Sequence, residues 1–183
     1  MITTWRIVKL KYKGPDAFTG KGAAIRPGRW HSVGTCIVYT SENLPLAARE
    51  IKDLNPLPST DWVFCSLDIP GDIVKEVDAS NLPPEWNRPD WRLYMPVATQ
   101  QIGDDFIQNG SAAVLRVPSA WSTSKTTLEH NYHLNPSHPD VAKITFHPFF
   151  PLHSSVLDEI ADSPNESQKL KLLIKTLTAE KTR

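Results

Sequence analysis

Sixteen prolines are spread between residues 15 and 164 of this 183-residue chain, and they limit what it can fold into more than any other feature. A proline inside a helix removes a hydrogen bond and clashes with the preceding turn, so prolines this widespread leave little room for long uninterrupted helices. A strand-rich α+β domain is therefore expected, rather than a helical bundle. The length suits one domain with a sizeable core. Its 20 basic and 20 acidic residues cancel, which argues against an electrostatic affinity for nucleic acid or an anionic membrane. Residues 1–20 carry Trp5, Arg6, Lys9, Lys11 and Lys13 with no apolar run resembling a signal peptide, and no later stretch approaches a membrane span, so a cytoplasmic protein is expected. The two cysteines, Cys36 and Cys65, lie in apolar runs without a second ligand-type residue at metal spacing and read as reduced core residues.

Residues 3–8 and 36–40 are rich in β-branched and aromatic side chains and read as strands, whereas residues 13–34 between them hold five of the eight glycines and read as a long loop. A loop of that length in a compact domain points to function, and its Gly and Arg content suits close approach to a phosphate-bearing ligand. Ser41 offers an N-cap, and residues 44–54 show helical spacing of apolar residues. Residues 63–69 alternate like a strand with one face in the core, followed by strands at 73–77 and 112–117 and a helix at 99–109 stopped by Gly110. Residues 144–150 read as a last strand, and two apolar-striped helices are expected beyond residue 154. The division expected is a domain at 1–153 and a helical extension at 154–183, packed on the domain or on a partner.

Within the helix at 44–54, Glu50 has apolar Leu46 and Leu54 one turn away, while Arg49, Lys52 and Asp53 project toward the polar side. Its carboxylate is thereby placed where core meets cleft, although position alone also suits an ordinary boundary glutamate. Upstream lie Gly20-Lys21-Gly22-Ala23-Ala24, then Gly28-Arg29-Trp30-His31-Ser32-Val33-Gly34, then Tyr39. Downstream follow Leu82-Pro83-Pro84-Glu85-Trp86, Thr99-Gln100-Gln101-Ile102-Gly103-Asp104, Val117-Pro118-Ser119-Ala120, Glu129-His130-Asn131-Tyr132 and Asn135-Pro136-Ser137-His138-Pro139-Asp140.

In that order these fragments resemble the RES family, named for an arginine, a glutamate and a serine, over about residues 4–150. Arg29, Glu50 and Ser119 match the three naming residues. Two positions depart from the pattern: His31 stands where the family usually has asparagine, and Pro27 replaces the first of two loop glycines. The resemblance implies a single compact domain resembling the ADP-ribosyltransferase fold, with mixed strands and short helices. It further implies the toxin of a toxin-antitoxin pair, degrading NAD by cleaving the nicotinamide-ribose bond with phosphate or water as acceptor.

In that chemistry positive charge builds on the ribose as in glycoside hydrolysis, and nicotinamide leaves as a neutral group without protonation. Glu50 would stabilise the cation, Arg29 would bind the pyrophosphate, Tyr39 would stack on nicotinamide, and Ser119 would offer its hydroxyl to the ligand or to Glu50. Arg6, Asn131 and His31 are further candidate substrate contacts. NAD would enter as substrate with no bound cofactor. The resemblance also implies a cognate helix-turn-helix (Xre-like) antitoxin, inorganic phosphate as a co-substrate and a homodimer as one assembly within the complex, with no direct nucleic-acid contact. Alternatives are mono-ADP-ribosyl transfer to a protein and a non-catalytic partner-binding domain. Glu129, His130, His133, His138 and Asp140 imitate a metal cluster, but Glu-His-x-x-His is not the zincin order and Pro136 and Pro139 interrupt any helix there, so no metal site is expected.

Overall fold

The computed structural model describes residues 1–54, 61–94, 96–122, 128–153 and 160–161. In chain order they form β1 (Ile2–Lys9), the one-turn α1 (Lys21–Ala24), β2 (Val38–Ser41), α2 (Leu44–Leu54), β3 (Trp62–Ile69) and β4 (Val74–Glu76). Then come the one-turn α3 (Trp91–Tyr94), α4 (Val97–Asn109), β5 (Val114–Pro118), β6 (His130–Leu134), β7 (Thr145–Phe146) and β8 (Phe150–Leu152). The strands make a mixed sheet in the order β4-β5-β6-β2-β1-β3-β7, with β8 also beside β3. The β4–β5 pair is parallel, and β1–β2, β1–β3, β2–β6 and β5–β6 are antiparallel. The α+β class expected from proline spacing is the class observed.

Successive residues of a strand face opposite sides of a sheet, and this places the site. On β2, β5 and β6 one face carries Val38, Val114, Tyr132 and Leu134, which join Cys65, Leu67 and Ile69 of β3 in one apolar cluster. The other face carries Tyr39, Leu115 and Val117, covered by Trp30, Leu82 and Phe106. Toward the other end of the sheet, α2 lays Leu44, Ala47 and Ala48 against Ile7 of β1 and Trp62 and Phe64 of β3. Ile160 and Ala161 are buried in that same cluster. The rest of the 154–183 extension lies outside the described residues.

Four expectations are corrected. The helix at 44–54 is capped by Asn43, whose Oδ1 accepts from the Leu46 amide at 2.8 Å, not by Ser41, which ends β2. The single strand expected at 144–150 is divided into β7 and β8 on one edge of β3; Pro148, which has no amide proton to donate, lies between them. Strand β6 was not expected at all, yet it is central in the sheet. Arg49 does not face solvent: its side chain is 13% exposed and forms an ion pair with Glu129 at 2.5 Å. It also donates to the carbonyls of Trp121 and Ala161. The loop at 13–34 is largely as expected, containing a short 3-10 turn (Pro15–Phe18) and α1.

Candidate active site

The polar residues of the site stand on the Tyr39 face of the sheet. Register pairs Tyr39 with His133 and Ser41 with Asn131 across β2 and β6, and pairs Leu115 with His133 and Val117 with Asn131 across β5 and β6. By alternation Ser119, just past β5, continues the row begun by Leu115 and Val117. Glu50 reaches this row from the last turns of α2. Its Oε1 accepts from Ser119 Oγ at 2.9 Å and from Asn131 Nδ2 at 2.6 Å. The Asn131 amide is oriented in turn by Ser41, whose hydroxyl donates to Asn131 Oδ1 at 2.7 Å. Ser119 is fixed by two main-chain bonds: its amide donates to the Glu129 carbonyl and its Oγ accepts from the Trp121 amide. Donors converging on one oxygen hold a carboxylate in one orientation.

Arg29 is 8% exposed. Its guanidinium donates to the carbonyls of Trp86 at 2.5 Å and Arg88 at 3.0 Å, and lies 5.4 Å from the Trp91 ring centroid. The backbone around it is clamped by α4. Thr99 Oγ1 donates to the Arg29 carbonyl at 2.5 Å, Gln100 Nε2 to the Gly28 carbonyl at 2.9 Å, and Asp104 accepts from the Ser32 amide and the Thr35 hydroxyl. Burial alone would raise the Asp104 carboxyl, but these hydrogen bonds hold it below its ordinary range. The sequence reading missed Thr99 and Gln100 as loop supports; the only trace of them was their place in the ordered fragments.

Tyr39 lies where the fields of Glu50 and Arg29 meet. Burial, then the Glu50 carboxylate, push its phenol above the ordinary value, and Arg29 opposes them. Its ring packs 4.3 Å from His133 and 5.5 Å from His31, centroid to centroid. His31 is 3% exposed, so direct solvent-side contact with a ligand is not what its placement offers; its ring bonds the Tyr39 hydroxyl and the carbonyls of Ala23 and Arg26. Arg6 also binds main chain, donating to the Ala17 carbonyl at 3.0 Å and the Tyr39 carbonyl at 2.5 Å, and desolvation lowers its pKa to about 10. It thereby ties the glycine loop to β1 and β2.

A cavity of about 610 Å³ opens beside α3 and α4, walled by Trp86, Arg88, Trp91, Tyr94 and Thr99, and one of about 320 Å³ lies at the β4 edge of the sheet. Glu50 lines neither. The side-chain donors of Ser119 and Asn131 converge on Glu50, while the larger cavity adjoins the segment that holds Arg29. Among the described residues no group of three or more His, Cys, Asp or Glu is placed to hold a metal. The apparent cluster at 129–140 is dispersed: Glu129 pairs with Arg49, His130 accepts from Arg116, His133 is buried, and His138 Nδ1 accepts from the Asp140 amide. Nor is any helix among them long and apolar enough to cross a membrane.

The chain is 32% identical to a protein named Toxin Res from Photorhabdus laumondii over 143 residues, covering 76% of this chain and 85% of that protein. It is also 32% identical to a Toxin Res from Pseudomonas putida over 140 residues, 73% of this chain and 88% of the relative. A Prs ADP-ribosylating toxin from Sphingobium is 30% identical over 148 residues, covering 76% and 86% respectively. Among solved structures, a chain of the Mycobacterium tuberculosis MbcT-MbcA toxin-antitoxin complex superimposes with a TM-score of 0.61 over 88% of this chain and 89% of that one; at 14% identity the likeness is one of fold. The RES domain profile matches residues 3–155, a span that holds Arg29, Glu50 and Ser119, and with relatives above 30% identity over most of its length the chain belongs to the RES domain family.

Proposed function

We propose that this chain is the toxin of a toxin-antitoxin pair and that it degrades NAD by cleaving the bond between nicotinamide and ribose, with phosphate or water as acceptor. The observation that carries the reading is the Glu50 carboxylate, fixed on one oxygen by Ser119 and Asn131 within reach of the Tyr39 and Arg29 fields. Nicotinamide in NAD is already cationic and departs neutral, so the reaction needs negative charge held against a developing ribosyl cation more than it needs a proton donor. A carboxylate oriented before the substrate arrives supplies this without reorganisation. Arg29, buried and pinned by the Trp86 and Arg88 carbonyls, would lend its remaining field to the pyrophosphate, and Tyr39 would present a ring to nicotinamide.

Glu50→Gln keeps the shape and the hydrogen-bonding length of the side chain but removes its charge. It is expected to lower kcat for nicotinamide release from NAD by about a hundredfold or more, with a small change in KM. Wild-type protein that releases no nicotinamide with or without phosphate overturns the reading. A dependence of rate on phosphate, with ADP-ribose 1-phosphate as product, assigns phosphorolysis; ADP-ribose alone assigns hydrolysis.

A second reading is supported by the Sphingobium relative, whose name describes ADP-ribosylation. The same ribosyl chemistry with a protein nucleophile would transfer ADP-ribose to a target. Incubation of a cell extract with labelled NAD separates the two, since transfer leaves the label on one protein band and cleavage leaves it in solution. A cognate antitoxin covering the site is the partner this reading requires, and the MbcT-MbcA complex is the structural precedent among chains of this fold. Suppression of nicotinamide release by the product of the adjacent reading frame would test it.

A further inference from the structure

We propose that His31 is a positioning residue that acts through Tyr39: it accepts the hydrogen bond of the Tyr39 hydroxyl and so fixes the ring beside Glu50. The inference rests on the NAD-cleaving reading above.

The geometry of His31 determines its hydrogen placement. Its Nε2 lies 2.9 Å from the Ala23 carbonyl oxygen and 3.1 Å from that of Arg26. Both groups only accept, so Nε2 must carry the hydrogen. A neutral imidazole with hydrogen on Nε2 has a bare Nδ1, and Nδ1 is the atom bonded to the Tyr39 hydroxyl. Tyr39 is therefore the donor. Burial disfavours the imidazolium, which keeps Nδ1 an acceptor. Gly28 makes room for the pair, since a Cβ at that position would collide with the His31 ring and stand 2.8 Å from the Tyr39 hydroxyl. The Gly28 carbonyl is meanwhile held by Gln100 and its amide by the His31 carbonyl, so the glycine cannot drift from the ring it accommodates.

The chain of contacts runs from α1 through His31 to Tyr39 and so to the Glu50 field. Because His31 is 3% exposed and both its ring nitrogens are engaged, it reaches the reaction through the tyrosine and not through the substrate. A ring held at one torsion is preorganised for stacking, and a phenol whose proton is committed to His31 is not a donor to whatever binds beside it.

The test is a double-mutant cycle on nicotinamide release from NAD. His31→Phe keeps the ring volume but removes both hydrogen-bonding atoms, and Tyr39→Phe removes the hydroxyl. Each is expected to lower kcat/KM about tenfold, the loss of one buried hydrogen bond, and the double variant is expected to be no worse than either. His31→Asn, whose Oδ1 stands about where Nδ1 stood, is expected to restore most of the activity lost in His31→Phe. Multiplying losses in the double variant, wild-type kinetics in His31→Phe, or an inactive His31→Asn overturn the proposal. A second measurement is independent of turnover and of whether His31→Phe folds. In 15N-histidine-labelled wild-type protein at neutral pH, the His31 ring should show a protonated Nε2 and an unprotonated Nδ1, assigned by the loss of its signals in His31→Asn. A protonated Nδ1 overturns the pairing. If wild type released no nicotinamide, the NAD reading would fail, and the tautomer would still decide the His31–Tyr39 bond.

Discussion

The Glu50 carboxylate is shaped by its neighbours more than by its own helix. Ser119 and Asn131 both donate to Oε1, and Ser41, by donating to Asn131 Oδ1, leaves the Asn131 amide only one way to face. The three residues come from β2, from the end of β5 and from β6, so the carboxylate registers whether those strands are in place. Asn131→Ala and Ser119→Ala should each lower the rate of nicotinamide release about tenfold, and the double variant should fall below either while staying above Glu50→Gln, because the charge is retained. Ser41→Ala should be milder, since the amide can still reach Glu50 in one of its two orientations. A Ser41→Ala loss equal to that of Glu50→Gln would show that the hydroxyl does more than orient the amide. These effects belong in kcat, as orientation of a pre-bound charge is realised in the transition state.

At the scale of elements, the decisive contact is α4 against the glycine loop. Thr99, Gln100, Gly103 and Phe106 are the buried residues of α4, a one-sided stripe, and the first two hold the carbonyls of Arg29 and Gly28. Gly103 lets the helix come down on the Trp30 main chain; a Cβ there would collide with the Trp30 carbonyl oxygen. Gly103→Ala, which in an exposed helix would stabilise by about 1 kcal/mol, should here lower stability by about 2 kcal/mol or more, read from urea unfolding, because overpacking outweighs propensity. Wild-type stability in that variant would mean the helix can move away from the loop at no cost. This sign reversal illustrates what the chain reveals by itself. Helix α2 and strands β1 and β3 could be read because their apolar periods are local. Strand β6 could not, because two of its inward positions are Asn131 and His133, polar residues turned into a site and a packed interior, which breaks the alternation a strand normally shows. Arg49 reads as solvent-facing because its partner Glu129 is 80 residues away in sequence, and Ser41 and Asn43 are both good cap residues whose roles separate only once β2 extends through Ser41. The residues of the candidate site were named through ordered motif fragments; their hydrogen-bond partners are long-range and have no local signature.

For the whole molecule the consequence is a dependence of stability on pH that begins with histidine. His133 is fully buried, edge-on to Trp30 at 5.9 Å and 4.3 Å from the Tyr39 ring, and neither ring nitrogen has a partner among the described residues. Desolvation, reinforced by His31, lowers its pKa to about 3, whereas in the unfolded chain it returns to about 6.5. Between those values the unfolded state binds a proton that the folded state refuses, so stability is complete above pH 6.5 and declines as pH falls toward 3. His31, displaced in the same direction by burial, adds to the decline. The carboxylates act later: Asp104 is held below its ordinary value, so its contribution is lost only as pH falls beneath the usual carboxylate range. His133→Phe keeps an aromatic ring between Tyr39 and Trp30 and removes the titration. Its unfolding free energy, followed in urea from pH 7 to pH 4.5, should fall less steeply than that of wild type by about 1.4 kcal/mol per pH unit over the lower part of that range, the slope due to one proton. Equal slopes in the two proteins would mean that His133 accepts a proton in place, and that the sheet beneath the site can admit the water such a charge requires.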